Sequence, residues 1–479
     1  LAPKLEATRG SVDAVAPESV GEVPLGPIQR WFFDRSSISP EHFNQAIWLD
    51  ARGRWNAEAM QAALRHVVSG HDAFRFRFTR EADGWHQQCA PGLGSIVCHV
   101  FDWREADRIE QRLAELQQAE QAALNLAQGP VTRAVIVQLA TGDRLFWTAH
   151  HLVVDGVSWR ILLEDLAASY AAEVADQLPP RLLRTVSFGN WTRAVSGAVV
   201  NGLLRDEAVY WEELASRPEP KLPRGRGRAT GTVADLRTVE ITLSEDVSQR
   251  LLQQAHTPFR TRGNELFIAA LRLAYADWNP WQPLELLLEG HGREAALSDL
   301  DISRTVGWFT SVHPAYFPPA RIGPPDADLI RETKEYLRSV PRNGAGFGWL
   351  QATGAALFSS ERLRSAISFN FLGAFESGAG AFALSAERPV GVRAGNQPVD
   401  HSIAIMGYVA GGRMYWSVEY DSVRWPEITM QGLLGRFIQV LDEVAACTAA
   451  TPAMVPSPAD FVFHRLKLDD ANRATEEWA

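Results

Sequence analysis

The sequence is poor in cysteine: its 479 residues include three, Cys89, Cys98 and Cys447, and none belongs to a CxxC pair. An odd, widely spaced set of this kind indicates neither a disulfide framework nor a structural zinc site. Long apolar runs are also lacking, since no stretch approaches the ~20 residues that a transmembrane helix needs. We therefore expect a cytoplasmic protein that does not associate with a membrane.

An excess of positive charge and the common cofactor-binding motifs are also lacking. The chain carries 47 basic against 57 acidic residues, a formal charge of −10, whereas a nucleic-acid-binding surface needs clustered basic residues. No GxGxxG, GxxxxGKS/T or GxSxG motif occurs, which argues against a dinucleotide-binding fold, a P-loop and a hydrolase nucleophile elbow. No set of histidines, cysteines and carboxylates has zinc-ligand spacing, so we expect no metal.

What is present is a globular composition, because 46% hydrophobic and 22% charged residues exclude a mostly disordered or collagen-like chain. The length allows two to four domains. The first residues are rich in proline, serine and glycine, which predicts a linker over residues 1–23. Two halves that each contain strands, long helices and one polar strand end predict an N-terminal lobe, 24–200, and a C-terminal lobe, 201–479.

Hydrophobic periodicity places the main elements of both lobes. Asn56 is the expected N-cap of a helix that ends before Gly70, and Phe74, Phe76 and Phe78 alternate as in a half-buried strand. The other predicted strands are His42–Asp50, Val131–Leu139, Arg144–His150, Leu236–Leu243 and Leu284–Glu289. The other predicted helices are Ala106–Ala127, Val157–Ala172 and Glu265–Asp277.

The first polar cluster follows the strand that ends at His150, in the segment HHLVVDGVSW. It contains six residues that could carry chemistry: His150, His151, Asp155, Gly156, Ser158 and Trp159. Adjacent histidines at a strand end point to opposite sides, so one can face a cleft and the other is expected to be structural. A cleft-facing imidazole, with an ordinary pKa of ~6.5, can take or give a proton. The alternative is a satisfied core or surface site, and Asp155 would orient an imidazole or pair with an arginine.

The second cluster is EGHGRE, Glu289 to Glu294, at the end of the apolar strand LELLLEG. The glycines on both sides of His291 permit close backbone approach, so a substrate or another strand is expected alongside. A carboxylate that ends an apolar run can be desolvated, which raises its pKa towards neutral pH. The alternative for Glu289 is an ion pair at a strand mouth. Arg293 is the expected partner of Asp155, in a salt bridge that joins the two halves.

Together, HHLVVDGVSWRILLEDL and EGHGRE resemble the epimerization domains of nonribosomal peptide synthetases, members of the condensation-domain superfamily. Further segments agree: PIQRWFF, HFNQAIWL, RTVGWFTSVHP and SFNFLGAFE. The resemblance runs from Pro24 to beyond Tyr420. HHxxxDG is shared with peptide-bond-forming condensation domains, whereas EGHGRE discriminates, because condensation domains typically lack this glutamate.

The resemblance implies an α/β fold of two chloramphenicol-acetyltransferase-like lobes, arranged as a V-shaped pseudo-dimer with the active site in the tunnel between them. His151 and Glu289 would face each other there as the catalytic pair. His150, Asp155, Arg293 and Asn370 would support them, with Asn370 as a candidate donor to an enolate oxygen. Gly156, Ser158, Trp159 and His291 would contact substrate. Phe371 departs from the family, where a tyrosine is common.

The implied reaction is inversion at the Cα of an aminoacyl or peptidyl thioester, without a cofactor of the domain's own. The substrate would arrive on the 4′-phosphopantetheine arm of a peptidyl carrier protein upstream, beside neighbouring synthetase domains, and the excised domain is expected to be monomeric. Two alternatives stay open. One is a condensation or dual condensation/epimerization domain, in which His151 assists amine attack on a thioester. The other is a noncatalytic domain that recruits tailoring enzymes.

Overall fold

The structure is a computed structural model that describes residues 20–461 except 36–37, 224, 226–229, 295–296, 355–364, 375–379 and 452–453. Its strands are β1 (Gly21–Val23), β2 (Asn44–Ala51), β3 (Phe76–Glu81), β4 (Gly84–Cys89), β5 (Val97–Trp103), β6 (Thr132–Leu139), β7 (Gly142–His150), β8 (Leu236–Thr242), β9 (Leu284–Gly290), β10 (Ser311–Phe317), β11 (Ile367–Ala374), β12 (Phe382–Leu384), β13 (Ile403–Ala410) and β14 (Arg413–Asp421). Its helices are α1 (Pro27–Arg35), α2 (Ala57–Gly70), α3 (Ile109–Ala122), α4 (Gly156–Val174), α5 (Phe188–Val200), α6 (Ala208–Ser216), α7 (Glu245–Gln249), α8 (Gly263–Trp278), α9 (Ala327–Ser339), α10 (Phe347–Ala352) and α11 (Glu427–Ala449).

The first large sheet has the strand order β12-β2-β7-β6-β5, and its neighbours are antiparallel except for β5 and β6. Successive residues of β6 point to opposite faces, and apolar side chains occupy both. Ala134 and Ile136 face the core that contains α2 and α4, whereas Val135 and Val137 face Leu113 and Leu116 of α3. Helices therefore cover both faces, and the two adjacent histidines stand where β7 ends.

The second large sheet has the order β10-β9-β11-β13-β14-β8, with β11 parallel to both β9 and β13. α8 packs against α11 and α9 in the core of this half. Every residue of α8 from Glu265 to Ala276 is buried, as expected for a helix enclosed on all sides. β9 lies between β10 and β11, so the end of β9 is flanked by strands on both sides.

The second half contributes a strand and apolar side chains to the first half. Strand β12 comes from the second half and pairs with β2 of the first sheet, with Ala383 opposite Asp50. Trp308 and Phe309, also from the second half, lie in the first hydrophobic core. Trp211 of α6 lies in that core too, beyond residue 200. The lobe boundary between residues 200 and 201 stays a prediction, and the packing crosses it.

The elements largely follow the sequence. Asn56 caps α2 by accepting bonds from the backbone of Glu58 and Ala59, and the β6–β7 pair is formed as predicted. Three details differ. Residues 21–23 of the predicted linker form β1, because Val23 is buried and the strand pairs with β4, whereas residues 1–19 lie outside the described residues. Phe74 belongs to a 3-10 turn, so its strand begins at Phe76.

The third difference is the length of α3, which is shorter than the predicted helix at both ends. Its N-terminus is fixed by Arg108, whose left-handed φ of 51° cannot continue a helix. Beyond its C-terminus the side chain of Asn125 accepts a bond from the backbone of Gln128 at 2.7 Å, which stabilises a turn instead of a further helical turn.

Candidate active site

His150 and His151 point in different directions at the end of β7. His150 is fully buried, lies 2.8 Å through Nε2 from the carbonyl oxygen of Pro40, and accepts a bond through Nδ1 from the backbone of Leu152 at 3.1 Å. Burial lowers the pKa of His150 to about 3. Both ring nitrogens of His150 therefore have backbone hydrogen-bond partners, as expected for a neutral histidine with a structural role.

His151 is only partly covered. Its Nδ1 lies 2.9 Å from the carbonyl oxygen of Val154, and its Nε2 lies 2.9 Å from Nε2 of Gln45 on β2. Two aromatic rings contact the imidazole, with centroid distances of 5.5 Å to Phe43 and 4.2 Å to Trp308. Burial lowers the pKa of His151, against the opposing effects of backbone bonds and the charge of Asp155. The imidazole is therefore neutral at neutral pH.

Gln45 connects His151 to α4. The indole Nε1 of Trp159 donates to Oε1 of Gln45 at 2.9 Å, and Gln45 in turn meets His151 through its amide nitrogen. The position of Gln45 follows from strand pairing, because Gln45 lies opposite Ala149 in the β2–β7 register. These three side chains form a continuous hydrogen-bonded row, called the relay below.

Asp155 and Arg293 form the predicted salt bridge. The Arg293 guanidinium lies 3.2 Å from Oδ1 and 3.3 Å from Oδ2 of Asp155, and both side chains are almost fully buried. Asp155 also caps α4 by accepting from the backbone of Ser158, and it accepts from the backbone of Phe309. Arg293 donates further to the carbonyl oxygen of Thr305 at 2.8 Å. This network connects the start of α4 with the segment that leads to β10.

The four residues predicted to bind substrate have different surroundings. Ser158 is fully buried, and its hydroxyl donates to the carbonyl oxygen of Gly307 and accepts from the Gly307 backbone. Trp159 is buried in the relay. Gly156 is the exposed first residue of α4, and His291 has an exposed ring whose Nδ1 accepts from the backbone of Arg293 at 3.0 Å. Ser158 and Trp159 are therefore engaged within the protein.

Glu289 lies near the end of β9 beside Asn370 of β11. The amide nitrogen of Asn370 donates to Oε2 of Glu289 at 2.6 Å. The carboxylate reaches solvent, yet the surrounding protein desolvates it and raises its pKa to about 7, outweighing the lowering effect of the Asn370 bond. Glu289 has no ion-pair partner among the residues that the structure describes. It can thus give or take a proton near neutral pH.

The glycines of EGHGRE permit the close approach predicted for them, and the neighbour of Gly292 is the segment that leads into β10. Gly292 has a φ of +69°, and a Cβ there would lie 1.6 Å from the carbonyl oxygen of Phe309. The segment continues into β10, where Val312 lies opposite Glu289. Trp308, in contact with His151, and Val312 are four residues apart, at most about 14 Å of extended chain. One short segment, 308–312, therefore runs between the two polar clusters.

Comparison with known proteins identifies the family. The sequence pattern described as "Condensation domain" matches residues 19–460. This chain belongs to the condensation domain family. It is 33% identical over 463 residues to one of the large polypeptides of linear gramicidin synthase from Brevibacillus parabrevis, covering 93% of this chain and 6% of that protein. It is 30% identical over 470 residues to tyrocidine synthase 1 of the same species, covering 94% of this chain and 43% of that protein.

A solved structure agrees with this assignment. The condensation-family domain is similar to the epimerization domain from the third module of tyrocidine synthetase B, with a TM-score of 0.83 and 29% identity over 91% of this chain and 99% of that one. The predicted family and its mixed α/β fold are thereby confirmed. The sheets of the fold are open rather than closed into barrels. No helix in the part of the chain that the structure describes is both long and apolar enough to cross a membrane.

The condensation-family domain has a cavity of about 770 Å³ beside segment 308–312. The lining comes from both halves and includes Trp31 and Trp85 from the first and Ser311, Trp349 and Gln351 from the second. A volume of this order suits a small-molecule ligand. Trp308 lines the cavity and also contacts the His151 ring, so one residue separates the cavity from His151.

Metal-binding potential is confined to one exposed group within the described residues of the domain. Glu81, Asp83 and His86 bring their ligand atoms within 4.8 Å of one another on the β3–β4 hairpin. His86 and Asp83 already contact each other at 2.8 Å, so a hairpin ion pair accounts for the grouping. The catalytic candidates His151 and Glu289 are not part of it.

Two neighbours of His151 were not singled out by sequence reasoning. Gln45 and Trp308 lie in HFNQAIWLD and RTVGWFTSVHP, segments that carry the family resemblance without indicating a role for either residue. The alternation of HFNQAIWLD predicts a strand but not which strand it pairs with. Only the register between β2 and β7 shows that Gln45 reaches His151.

Proposed function

We propose that this domain is an epimerase that inverts the Cα of an aminoacyl or peptidyl thioester in nonribosomal peptide synthesis. The observation that carries the proposal is the Glu289 carboxylate at the end of β9, whose Oε2 accepts a bond from Asn370 and which has no ion-pair partner among the described residues. The surrounding protein raises its pKa to about 7, in keeping with proton transfer. A peptide-bond-forming reaction has no need of such a carboxylate. The similarity to a solved epimerization domain supports the same choice.

The chemistry requires two proton-transfer groups. A thioester acidifies the neighbouring Cα–H more than an amide does, because sulfur donates little electron density to the carbonyl. Inversion then removes a proton from one face and returns a proton to the other. Glu289 and His151 are the proposed pair, in the tunnel that the family fold implies, and each serves as acid or base according to the direction of reaction.

The supporting residues keep these groups in place. Asn370 orients the Glu289 carboxylate, and Asp155 and Arg293 hold the start of α4 against the segment that contains Trp308. His150 has only protein partners and so stabilises the strand end that bears His151. Asn370 is also the proposed donor to the enolate oxygen, which would require it to exchange Glu289 for substrate.

The substrate is proposed to arrive on the 4′-phosphopantetheine arm of a peptidyl carrier protein within a larger synthetase. In support, the chain spans less than half the length of tyrocidine synthase 1 and a much smaller share of the linear gramicidin synthase polypeptide. The domain itself supplies only proton transfer, so no cofactor of its own is proposed.

The test is isotope exchange. An L-aminoacyl carrier protein is mixed with the domain in deuterated buffer, and Cα deuterium uptake and the D:L ratio are followed by chiral analysis. Deuterium uptake with movement towards a D/L mixture, lost in Glu289→Gln and His151→Ala, is the expected result. Glu285→Gln, at the other end of β9, and His66→Ala, on α2, are matched controls that should retain the activity.

A condensation domain gives a different result. If a donor carrier and an acceptor aminoacyl carrier yield a peptide bond, and no Cα exchange occurs on any matched substrate, the epimerase proposal is wrong. His151→Ala would then abolish peptide-bond formation, whereas Glu289→Gln would not. Neither exchange nor condensation by a folded domain would favour the recruitment alternative.

A further inference from the structure

The relay determines which atom of His151 accepts a hydrogen bond, because the atoms at its two ends have fixed donor or acceptor roles. The indole Nε1 of Trp159 can only donate, so the atom of Gln45 that it contacts at 2.9 Å must be the carbonyl oxygen. The amide nitrogen of Gln45 therefore faces His151, and it too can only donate. The Nε2 atom of His151 must accept this bond.

The other ring nitrogen leads to the same tautomer. The carbonyl oxygen of Val154 can only accept, so the Nδ1 of His151, 2.9 Å away, must carry the hydrogen. A neutral imidazole has one N–H and one lone pair, and these two contacts use both. The proton of His151 is thus on Nδ1 and the lone pair on Nε2.

We propose that Gln45 is a positioning residue that holds His151 as the Nδ1–H tautomer with Nε2 as the proton-accepting atom, and that Trp159 fixes the orientation of the Gln45 amide. The role in turnover rests on the proposed function, whereas the tautomer does not. Nε2 has a single lone pair, which the amide of Gln45 occupies in the free domain. Gln45 must therefore move off Nε2 when substrate presents its Cα–H.

The relay also opposes a charged His151. A proton on Nε2 would face the N–H of Gln45 rather than an oxygen, because Trp159 holds the oxygen. Of the charged and titratable groups near the ring, Asp155 favours the imidazolium and His150 is neutral. The residue before β2 and segment 308–312 contribute only the aromatic rings of Phe43 and Trp308. A single substitution at Gln45 can replace the hydrogen-bond donor that faces Nε2 of His151 by an acceptor.

Gln45→Glu makes that replacement, since it exchanges the N–H donor for a carboxylate of similar shape. An opposite charge at this distance favours the imidazolium and raises the His151 pKa by about 1–3 units. The acid limb of the pH–rate profile for Cα exchange should move up by the same amount, with a loss of kcat at neutral pH and little change in KM for the carrier protein. Trp159→Phe frees the amide to rotate and should move the limb in the same direction by less.

A matched control separates this effect from a change in packing. Gln87 is a glutamine of the first half that is more deeply buried than Gln45, and its amide contacts Gln29 and Pro24 instead of a histidine. Gln87→Glu should reduce stability and leave the acid limb where it is in the unaltered domain. An acid limb that moves equally in both variants would overturn the proposal.

Direct observation of the tautomer needs no turnover. Nitrogen-15 NMR of the histidine rings, with the His151 signals assigned by their loss in His151→Ala, should show a protonated Nδ1 and an unprotonated Nε2 at neutral pH. Titration of Gln45→Glu should show a raised His151 pKa even if the domain catalyses no exchange. A protonated Nε2 in the unaltered domain, or an unchanged His151 pKa in folded Gln45→Glu, would overturn the proposal independently of the epimerase activity.

Discussion

Asn370 donates a hydrogen bond of 2.6 Å to Glu289, and this bond stabilises the charged carboxylate at a strand end where desolvation by the surrounding protein favours the neutral form. Desolvation has the larger effect, so the pKa of Glu289 is raised to about 7. The two opposing contributions can be separated experimentally, because the first depends on one side chain and the second on the surroundings of the whole strand end.

The raised pKa makes the stability of the domain depend on pH. A carboxyl group with a higher pKa in the folded than in the unfolded state stabilises the fold fully below its unfolded pKa, and this contribution is lost as pH rises through the folded value. The Glu289→Gln variant has no ionisable group at this position, so it does not lose this contribution to stability as pH rises. The melting temperature of the variant relative to the unaltered domain should therefore rise between about pH 4.5 and pH 7 and level off above.

The control for this experiment is Glu212→Gln, an exposed position on α6. Its melting temperature should follow that of the unaltered domain across the same pH range. If the difference in melting temperature between Glu289→Gln and the unaltered domain did not change with pH, the pKa of Glu289 would be the same in the folded and unfolded states. The raised pKa would then be wrong.

The Asn370 bond predicts the direction of a second shift. A proton-transfer pair that needs one proton on its two groups is inactive when both groups have lost their protons, above the pKa of Glu289. It is also inactive when both groups are protonated, below the pKa of His151. Asn370→Ala removes a bond to the charged carboxylate, so the Glu289 pKa should rise and the alkaline limb of the exchange profile should move up by about one unit. Asn396→Ala, an exposed position, is the control. A limb that moved down would show that Asn370 does not stabilise the charged form.

The local elements could be predicted from the sequence because their signals are local. The cap at Asn56 and the β6–β7 pair depend on neighbouring residues, and both are present. The Asp155–Arg293 bridge could also be predicted, since it joins opposite charges from two motifs. Each of these required only residue type and position within a motif.

The surroundings of His151 could not be predicted in the same way. Gln45 reaches His151 only because β2 pairs with β7 in one register, and a shift of one residue would point Gln45 to the other face. Trp308 reaches the ring from a segment whose backbone at Phe309 passes close to Gly292 and donates to Asp155. Both contacts depend on long-range packing, which residue patterns do not specify.

The buried bridge between Asp155 and Arg293 should be important for stability. Removing one partner of a buried ion pair leaves the other charged and desolvated, which costs about 3–5 kcal/mol. Arg293→Ala should lower the free energy of unfolding by that order in urea denaturation. Arg250→Ala, which breaks more exposed pairs with Asp246 and Asp442, should cost about 0–1 kcal/mol. Similar losses in the two variants would contradict the structural role of the bridge.

Gly292 should be required for the position of Trp308. Gly292→Ala places a Cβ in the left-handed region, which costs about 1–2 kcal/mol, and also drives it into the carbonyl oxygen of Phe309. Gly412→Ala is the matched control, because Gly412 has a similar φ of +77° but open space around its Cβ. Gly292→Ala should therefore lose more stability in urea than Gly412→Ala, and it alone should slow Cα exchange, since displacement of segment 308–312 moves Trp308 from His151. Equal losses of stability and unchanged exchange in both variants would show that the close approach at Phe309 does not position the site.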